Sequence, residues 1–371
     1  MRLAVPLFFV FFVCSCFAKY PNRYVVDLDL PASERWNEVV HDHLDAIPGF
    51  MKAAQFYVPK HLLPIAFFVA QQLNRFFPDE YAEEIRGIAR TSGLPLGFIV
   101  SMNILYDIVA FDRKQSVILF NLGGADDVND FDSFIFQMGC TSIVAENEEG
   151  IILHGRNLDY GIGDLLKNIT ILVDFVRWHN QEKKIVYTGV TFALSTTLIT
   201  GQNGAFSVSL NARYSGPYIY NIFMEFFTHF RTPVGFLLRE VLSSSRTYSE
   251  AVDELSNRHL FSPSYIIIGG RKKGEGAIIS RDRWRAADVI KLGDGKWFLV
   301  ETNFDHWRRD MDKRRTTAVK MLKAMGRGGL NVDTMLKVLR TFPVKNNLTL
   351  FTTVMSARYP SLIKRTTFIW N

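Results

Sequence analysis

The chain has 371 residues, 48% of them hydrophobic, with a formal net charge of +6. That apolar content supplies a real core and excludes an intrinsically disordered chain. The positive balance favours anionic surfaces such as lipid headgroups, but the basic residues are scattered and no zinc-finger or stacked-aromatic motif accompanies them, which excludes nucleic acid as the natural partner.

Residues 1–18 have the parts of a signal peptide: basic Arg2, an apolar run from Leu3 to Phe17, and small Ala18 before the expected cut. The run is short for a membrane anchor, so the mature chain is expected to begin near Lys19. Cys14 and Cys16 leave with the leader, which strands Cys140 without a disulfide partner. A lone thiol in an exported chain is either a buried small hydrophobe or a reactive group. Sequons at Asn168 and Asn347 agree with passage through the secretory pathway and mark two glycosylation sites.

A strand is predicted from Arg23 to Asp29, then a helix from Ser33 to Val40. Phe56 to Phe77 is the most apolar stretch outside the leader. Its run from Leu62 to Ala70, broken by Pro64, reads as a core helix or as an amphipathic helix that touches lipid. Helices are predicted from Pro78 to Arg90 and from Pro95 to Ala110, which makes the N-terminal third mainly helical. Leu122 to Asp132 is acidic, Gly-rich and aperiodic, an exposed loop of the kind that is readily cut.

Beyond Cys140 the texture turns to strands. They are predicted near residues 141–145, 151–154, 169–175, 185–190, 205–210, 265–268, 277–280, 297–301 and 348–353. Helices are predicted from Tyr218 to Phe230, Val234 to Ser243, Ser249 to Asn257, Arg314 to Ala324 and Val332 to Arg340. Strands, then helices, then strands imply an α+β fold of two sheets faced by helices.

The stretch from Cys140 to Tyr160 carries the chemistry. A hairpin turning at Asn147 to Gly150 brings Arg156 and Asp159 back towards Cys140, although the register, and whether Arg156 lies beside or diagonal to it, stays open. A thiol of pKa ~8.5 needs help at neutral or acid pH. If Cys140 were a new N-terminus, its own α-amine, of pKa ~8, could shuttle the sulfur's proton. Arg156 would favour the thiolate and Asp159 would hold the ammonium. His154 and His306 invite a cysteine–histidine protease reading, but the residues around Cys140 lack the papain-like signature.

Six ordered blocks carry a resemblance. They are Cys140-Thr-Ser-Ile-Val-Ala145, Gly155-Arg-Asn-Leu-Asp-Tyr160, Thr302-Asn-Phe-Asp-His-Trp307 and Arg314-Arg-Thr316, with weaker matches at Gly274 to Arg281 and Thr352 to Ala357. Glu84 to Gly87 and Asn103 to Tyr106 extend it into the N-terminal third. The chain resembles the N-terminal-nucleophile cysteine amidases, specifically the acid ceramidase and N-acylethanolamine acid amidase group.

The resemblance implies a four-layer αββα sandwich and a zymogen that cuts itself between Gly139 and Cys140. A helical α-subunit, residues 19–139, would stay bound to a catalytic β-subunit, residues 140–371. Cys140 would attack the fatty amide carbonyl, with Arg156 and Asp159 positioning it, Asn303 donating to the oxyanion and Arg314 supporting by charge. No cofactor or metal is implied. Relatives carry a glutamate where this chain has Ala212, in Asn211-Ala212-Arg213, which leaves Asn211 as the nearest polar candidate.

The expectation is a lysosomal or secreted acid amidase of lipid N-acyl amides, working at a membrane surface or on lipid micelles. N-acylethanolamines are favoured because the acid ceramidase branch joins its subunits by a disulfide, for which the mature chain has no second cysteine. Ceramide is the alternative substrate, and a non-catalytic lipid-binding protein on the same scaffold is the alternative class.

Overall fold

The computed structural model describes residues 18–57, 60–109, 139–161, 163–213, 232–308 and 312–370. The apolar part of the leader, the acidic loop from Leu122 to Asp132 and the helix expected from Tyr218 to Phe230 lie outside them.

The N-terminal third contributes strands β1 (Ala18–Lys19) and β2 (Asn22–Asp27), then helices α1 (Asn37–His41), α2 (Ile47–Tyr57), α3 (Leu63–Leu73), α4 (Asp79–Ser92) and α5 (Leu96–Val109). The hairpin β3 (Gly139–Glu146) and β4 (Ile152–Asp159) leads to a short α6 (Gly163–Asn168). Next come β5 (Thr170–His179), β6 (Glu182–Phe192), β7 (Thr200–Gln202) and β8 (Phe206–Ala212), then α7 (Val234–Ser244) and α8 (Tyr248–Asn257). Four strands follow: β9 (Ser264–Gly270), β10 (Gly276–Arg281), β11 (Ala286–Lys291) and β12 (Phe298–Glu301). Helices α9 (Lys313–Met325) and α10 (Val332–Arg340), strand β13 (Thr349–Met355), α11 (Leu362–Thr366) and β14 (Phe368–Trp370) complete the chain.

Two sheets form, in the orders β1-β14-β13-β4-β3-β12 and β11-β10-β9-β8-β7-β6-β5-β2. Val144, Ile152, Tyr265, Ile267 and Leu299 pack in one cluster that joins the facing sheets. Outside the first sheet, Ile143, Ala145 and Leu153 meet Leu322, Met335 and Leu339 of α9 and α10. Outside the second, Val208 and Leu210 share a core with Ile85 of α4 and Leu238 of α7. This is the expected four-layer αββα sandwich, because each strand alternates one side chain towards the other sheet and one towards helices.

Local chemistry explains the helix boundaries. Thr247 and Glu250 form a capping box at α8, Asn331 and Thr334 do so at α10, and α4 ends at Gly93 in the left-handed region. Strands run longer than expected: β4 extends past His154 to Asp159, because register pairing with β3 and β13 continues to there. Strand β11, half exposed and without clean alternation, carries no strand signal of its own.

The N-terminal third is laced into the rest. β1 pairs antiparallel with β14 and β2 pairs parallel with β5, so it supplies one edge of each sheet. Beneath them Glu84 of α4, wholly buried, accepts from Arg239 Nη2 of α7 at 2.7 Å, from Trp36 Nε1 at 2.9 Å and from Arg35 at 3.0 Å. Arg239 in turn donates to the Tyr187 hydroxyl at 2.9 Å and the Thr196 carbonyl at 3.0 Å. Among the described residues, no helix is long and apolar enough to cross a membrane, and no cluster of three metal-ligating side chains forms.

Candidate active site

Cys140 is the second residue of β3 and is fully buried. The hairpin register sets Cys140 opposite Leu158, Ser142 opposite Arg156 and Gly139 opposite Asp159. Arg156 is therefore diagonal to Cys140 and on the same face, while Asp159 projects from the opposite face. The two charges do not pair with each other. Arg156 donates to the Ser142 hydroxyl at 3.3 Å and to Asn211 Oδ1, and its Nε and Nη2 have no partner among the described residues. Asp159 accepts from Thr349 at 2.7 Å, Asn346 at 3.0 Å and Arg314 at 3.2 Å. A buried guanidinium with two unmet donors and only neutral acceptors is a site prepared for negative charge.

Asn303 stands over the cysteine backbone. Its Oδ1 accepts from the Cys140 amide at 3.0 Å and from Arg314 Nη2 at 2.9 Å, and its Nδ2 donates to the Ala212 carbonyl at 2.9 Å. The donor expected to face an oxyanion is thus engaged by main chain here, and the amide oxygen anchors Cys140 instead. Arg314 also reaches the Cys140 carbonyl at 3.2 Å and is gripped by Asp312, the N-cap of α9, at 2.6 Å. It supports Asn303 by direct hydrogen bonding as well as by charge. A side chain at Gly139 would come within 2.6 Å of Arg314 Nη1 and 3.0 Å of Asp159 Oδ2. A side chain there would have to displace the Arg314 guanidinium from Asp159 and the Cys140 carbonyl.

Asn211 holds the centre: Nδ2 donates to the Glu301 and Thr302 carbonyls at 3.0 and 2.8 Å, while Oδ1 takes Ser142 and Arg156. Ala212 contributes only its carbonyl, and its methyl group belongs to the apolar core with Leu210. The position of Asn303 therefore rests on the backbone of residue 212, not on its side chain. His154 lies four residues along β4 from Leu158, roughly 13 Å from the Cys140 rung, and bonds Ser207 and Ser209 at 3.0 and 2.8 Å. Burial and the Arg156 charge push its pKa down to about 3, so it is neutral. His306 pairs with Asp288 at 3.0 Å. Neither histidine is bonded to Cys140, which removes the cysteine–histidine reading.

Several members were not singled out from sequence. Ser142 and Ser209, joined at 2.8 Å, continue the polar line from His154 to Asn211. Alternation of Ser207, Ser209 and Asn211 with apolar neighbours in β8 was a readable signal for them. Asp312, Asn346 and Thr349 had no such signal, because they reach the site only through tertiary packing.

A buried cysteine heading an inner strand of a two-sheet sandwich, flanked by arginine, aspartate and asparagine, fits an amide hydrolase of the N-terminal-nucleophile class. The family model for linear amide C–N hydrolases of the choloylglycine hydrolase family matches residues 140–334. A second, described as the beta subunit of N-acylethanolamine-hydrolyzing acid amidase, matches residues 19–77, within the helical third termed the α-subunit above. The N-acylethanolamine-hydrolyzing acid amidase of Caenorhabditis elegans is 50% identical over 363 residues, 97% of this chain and 96% of that protein. The acid ceramidase of Mus musculus is 34% identical over 359 residues, 90% of this chain and 82% of that one. A solved structure of a Caenorhabditis elegans ortholog of the acid amidase, 55% identical, superposes with a TM-score of 0.57 over 62% of this chain and 99% of its own. The chain belongs to the choloylglycine hydrolase family of linear amide C–N hydrolases and is an amidase.

Proposed function

We propose that this amidase hydrolyses N-acylethanolamines in the lysosome, after cutting itself between Gly139 and Cys140. The constellation around Cys140, a buried thiol whose amide is held by Asn303 and whose face carries an uncompensated Arg156, is the observation that carries the reading. In the uncut chain, Sγ attacks the Gly139 carbonyl, the peptide shifts to a thioester and water releases Gly139 as a carboxylate. The freed Cys140 amine then stays near Asp159, the residue paired with Gly139. In turnover that amine takes the thiol proton, Sγ attacks the fatty amide carbonyl and the ethanolamine nitrogen leaves protonated. Water hydrolyses the acyl-enzyme to fatty acid. Asn303, Arg314 and Arg156 supply the donors and positive charge that such a tetrahedral intermediate needs.

Export through a cleaved leader and glycosylation at Asn168 and Asn347, both exposed, belong to this reading. So does membrane contact through α3, where Leu62 at its N-cap and Ile65, Phe68 and Val69 are exposed. Ceramide is the second candidate substrate, favoured by the likeness to acid ceramidase. Purified secreted protein incubated at acid pH should yield a fragment whose N-terminal sequence begins Cys-Thr-Ser, and Cys140→Ala should stay whole. A wild-type chain that remains uncut and still binds lipid sinks the nucleophile reading in favour of a binding protein. Fatty acid released from a matched ethanolamide and ceramide pair decides the substrate.

A further inference from the structure

Glu301 is the last residue of β12, wholly buried, and its strand register sets it opposite Ser142 on the edge of the catalytic face. Oε1 accepts from Arg315 at 2.5 Å and from the Thr302 amide at 3.0 Å, while Oε2 has no partner among the described residues. Arg315 also donates to the Phe304 carbonyl at 2.6 Å. The neighbouring Arg314 holds the Asn303 side chain from the other direction. Two consecutive arginines of α9 thus grip the turn at 302–304, and Glu301 anchors one of them.

We propose that Glu301 is a positioning residue for the amidase reaction: through Arg315 and the Thr302 amide it fixes the turn carrying Asn303, and the turn keeps its working geometry while the Glu301 carboxyl is neutral. This rests on the amidase reading of Cys140. Oε2 lacks a partner in either state, but a neutral hydroxyl left there costs less than a charged oxygen without a donor, and an ionised Glu301 would gain a donor by drawing in water or Arg315, which loosens Phe304. The charged and titratable groups facing it are Arg315 of α9, Asp305 of the turn and Tyr265 of β9. Arg156 lies beyond Ser142 on the same face. Asp305 is itself neutralised by Arg213 at 2.7 Å, and His306 faces Arg315. Burial outweighs the pull of Arg315 and pushes the Glu301 pKa up from 4.5 to about 8. The shift is upward, so the contribution is complete in acid and is lost as pH rises through about 8. Deprotonating the thiol or the Cys140 amine would do the opposite and raise activity over that range.

The test is the pH profile of kcat for the processed enzyme on a fluorogenic fatty-acyl amide. Wild type should lose kcat as pH passes through about 8, with KM changing less than about twofold. Glu301→Gln, always neutral, should show acid kcat lowered by about two- to fivefold but no such loss at higher pH, and Glu301→Leu should lower kcat about tenfold or more at every pH. A Glu301→Gln profile that keeps the wild-type fall overturns the proposal. Should that variant not fold, infrared spectra of glutamate-labelled Cys140→Ala protein decide. A protonated carboxyl band at about pH 6.5 that vanishes by about pH 9 supports the proposal, and its absence overturns it. Because that protein is inactive by design, this arm still reads Glu301 if wild type hydrolyses no acyl amide at any pH, the result that would sink the amidase reading alone.

Discussion

Arg156 and Asp159 were both legible as charges near Cys140, but their register was not, and the fold sends them to opposite faces. A strand's period of two puts residues 156 and 159 on opposite faces, one towards the second sheet and one towards α9. Each finds its partners there, from segments more than fifty residues away in the chain. Asn303 and Arg314 were readable only through the resemblance, and their hydrogen bond to one another only in three dimensions. Replacing Asn303 by Ala removes the Cys140 anchor together with the amide donor that the Ala212 carbonyl engages in the uncut chain and that the proposed mechanism turns to the oxyanion. Losing one such donor typically costs ~10²–10³ in kcat, so this variant should fall at least that far in acyl-amide turnover while also slowing its own cleavage, read by gel. Gly139→Val tests a different contact. Its side chain collides with Arg314 and Asp159, so the chain should accumulate uncut in time courses that take wild type to completion. Rapid cleavage of that variant would show that the strand before Cys140 is not held as described.

At the scale of elements, helices were the easier reading. Caps and 3.6-residue periodicity are local, so α7, α8, α9 and α10 matched within a residue or two. Strand lengths were harder, since β4 and β5 are extended by neighbours rather than by their own composition. The least legible feature was how the N-terminal third attaches. Nothing in Asn22–Asp27 announces that it pairs parallel with β5, and nothing in α4 announces that Glu84 meets Arg239. If the chain is cut as proposed, that pair would do for its two fragments what a disulfide otherwise does. Removing one member of a buried pair typically costs ~3–5 kcal/mol. Glu84→Gln should therefore lower the urea midpoint of the processed enzyme and release the N-terminal fragment on size exclusion under conditions where wild type stays whole. Co-elution unchanged at every urea concentration would assign the attachment to the edge strands instead.

At the scale of the molecule, the proposed fatty-amide substrate is poorly soluble in water, which poses a delivery problem. The α3 surface would answer it under the proposed membrane contact: Leu62 at the N-cap and Ile65, Phe68 and Val69 of the helix are exposed together, and scattered exposure would not cluster so. The overall charge of +6 adds attraction to anionic headgroups. Burying a side chain the size of Phe is worth ~1.5–3 kcal/mol, so Phe68→Ser with Ile65→Ser should weaken binding to anionic vesicles by a factor of about a hundred or more. The same variant should hydrolyse a short-chain, micelle-free acyl amide at the wild-type rate, since neither residue is bonded to any group around Cys140. A parallel loss on both substrates would mean that α3 shapes the site itself. Selective loss on vesicles would mean that the helical third is the membrane-facing part of the enzyme, and that the clasp at Glu84 must outlast the cut so that the part which finds lipid stays attached to the part which cleaves it.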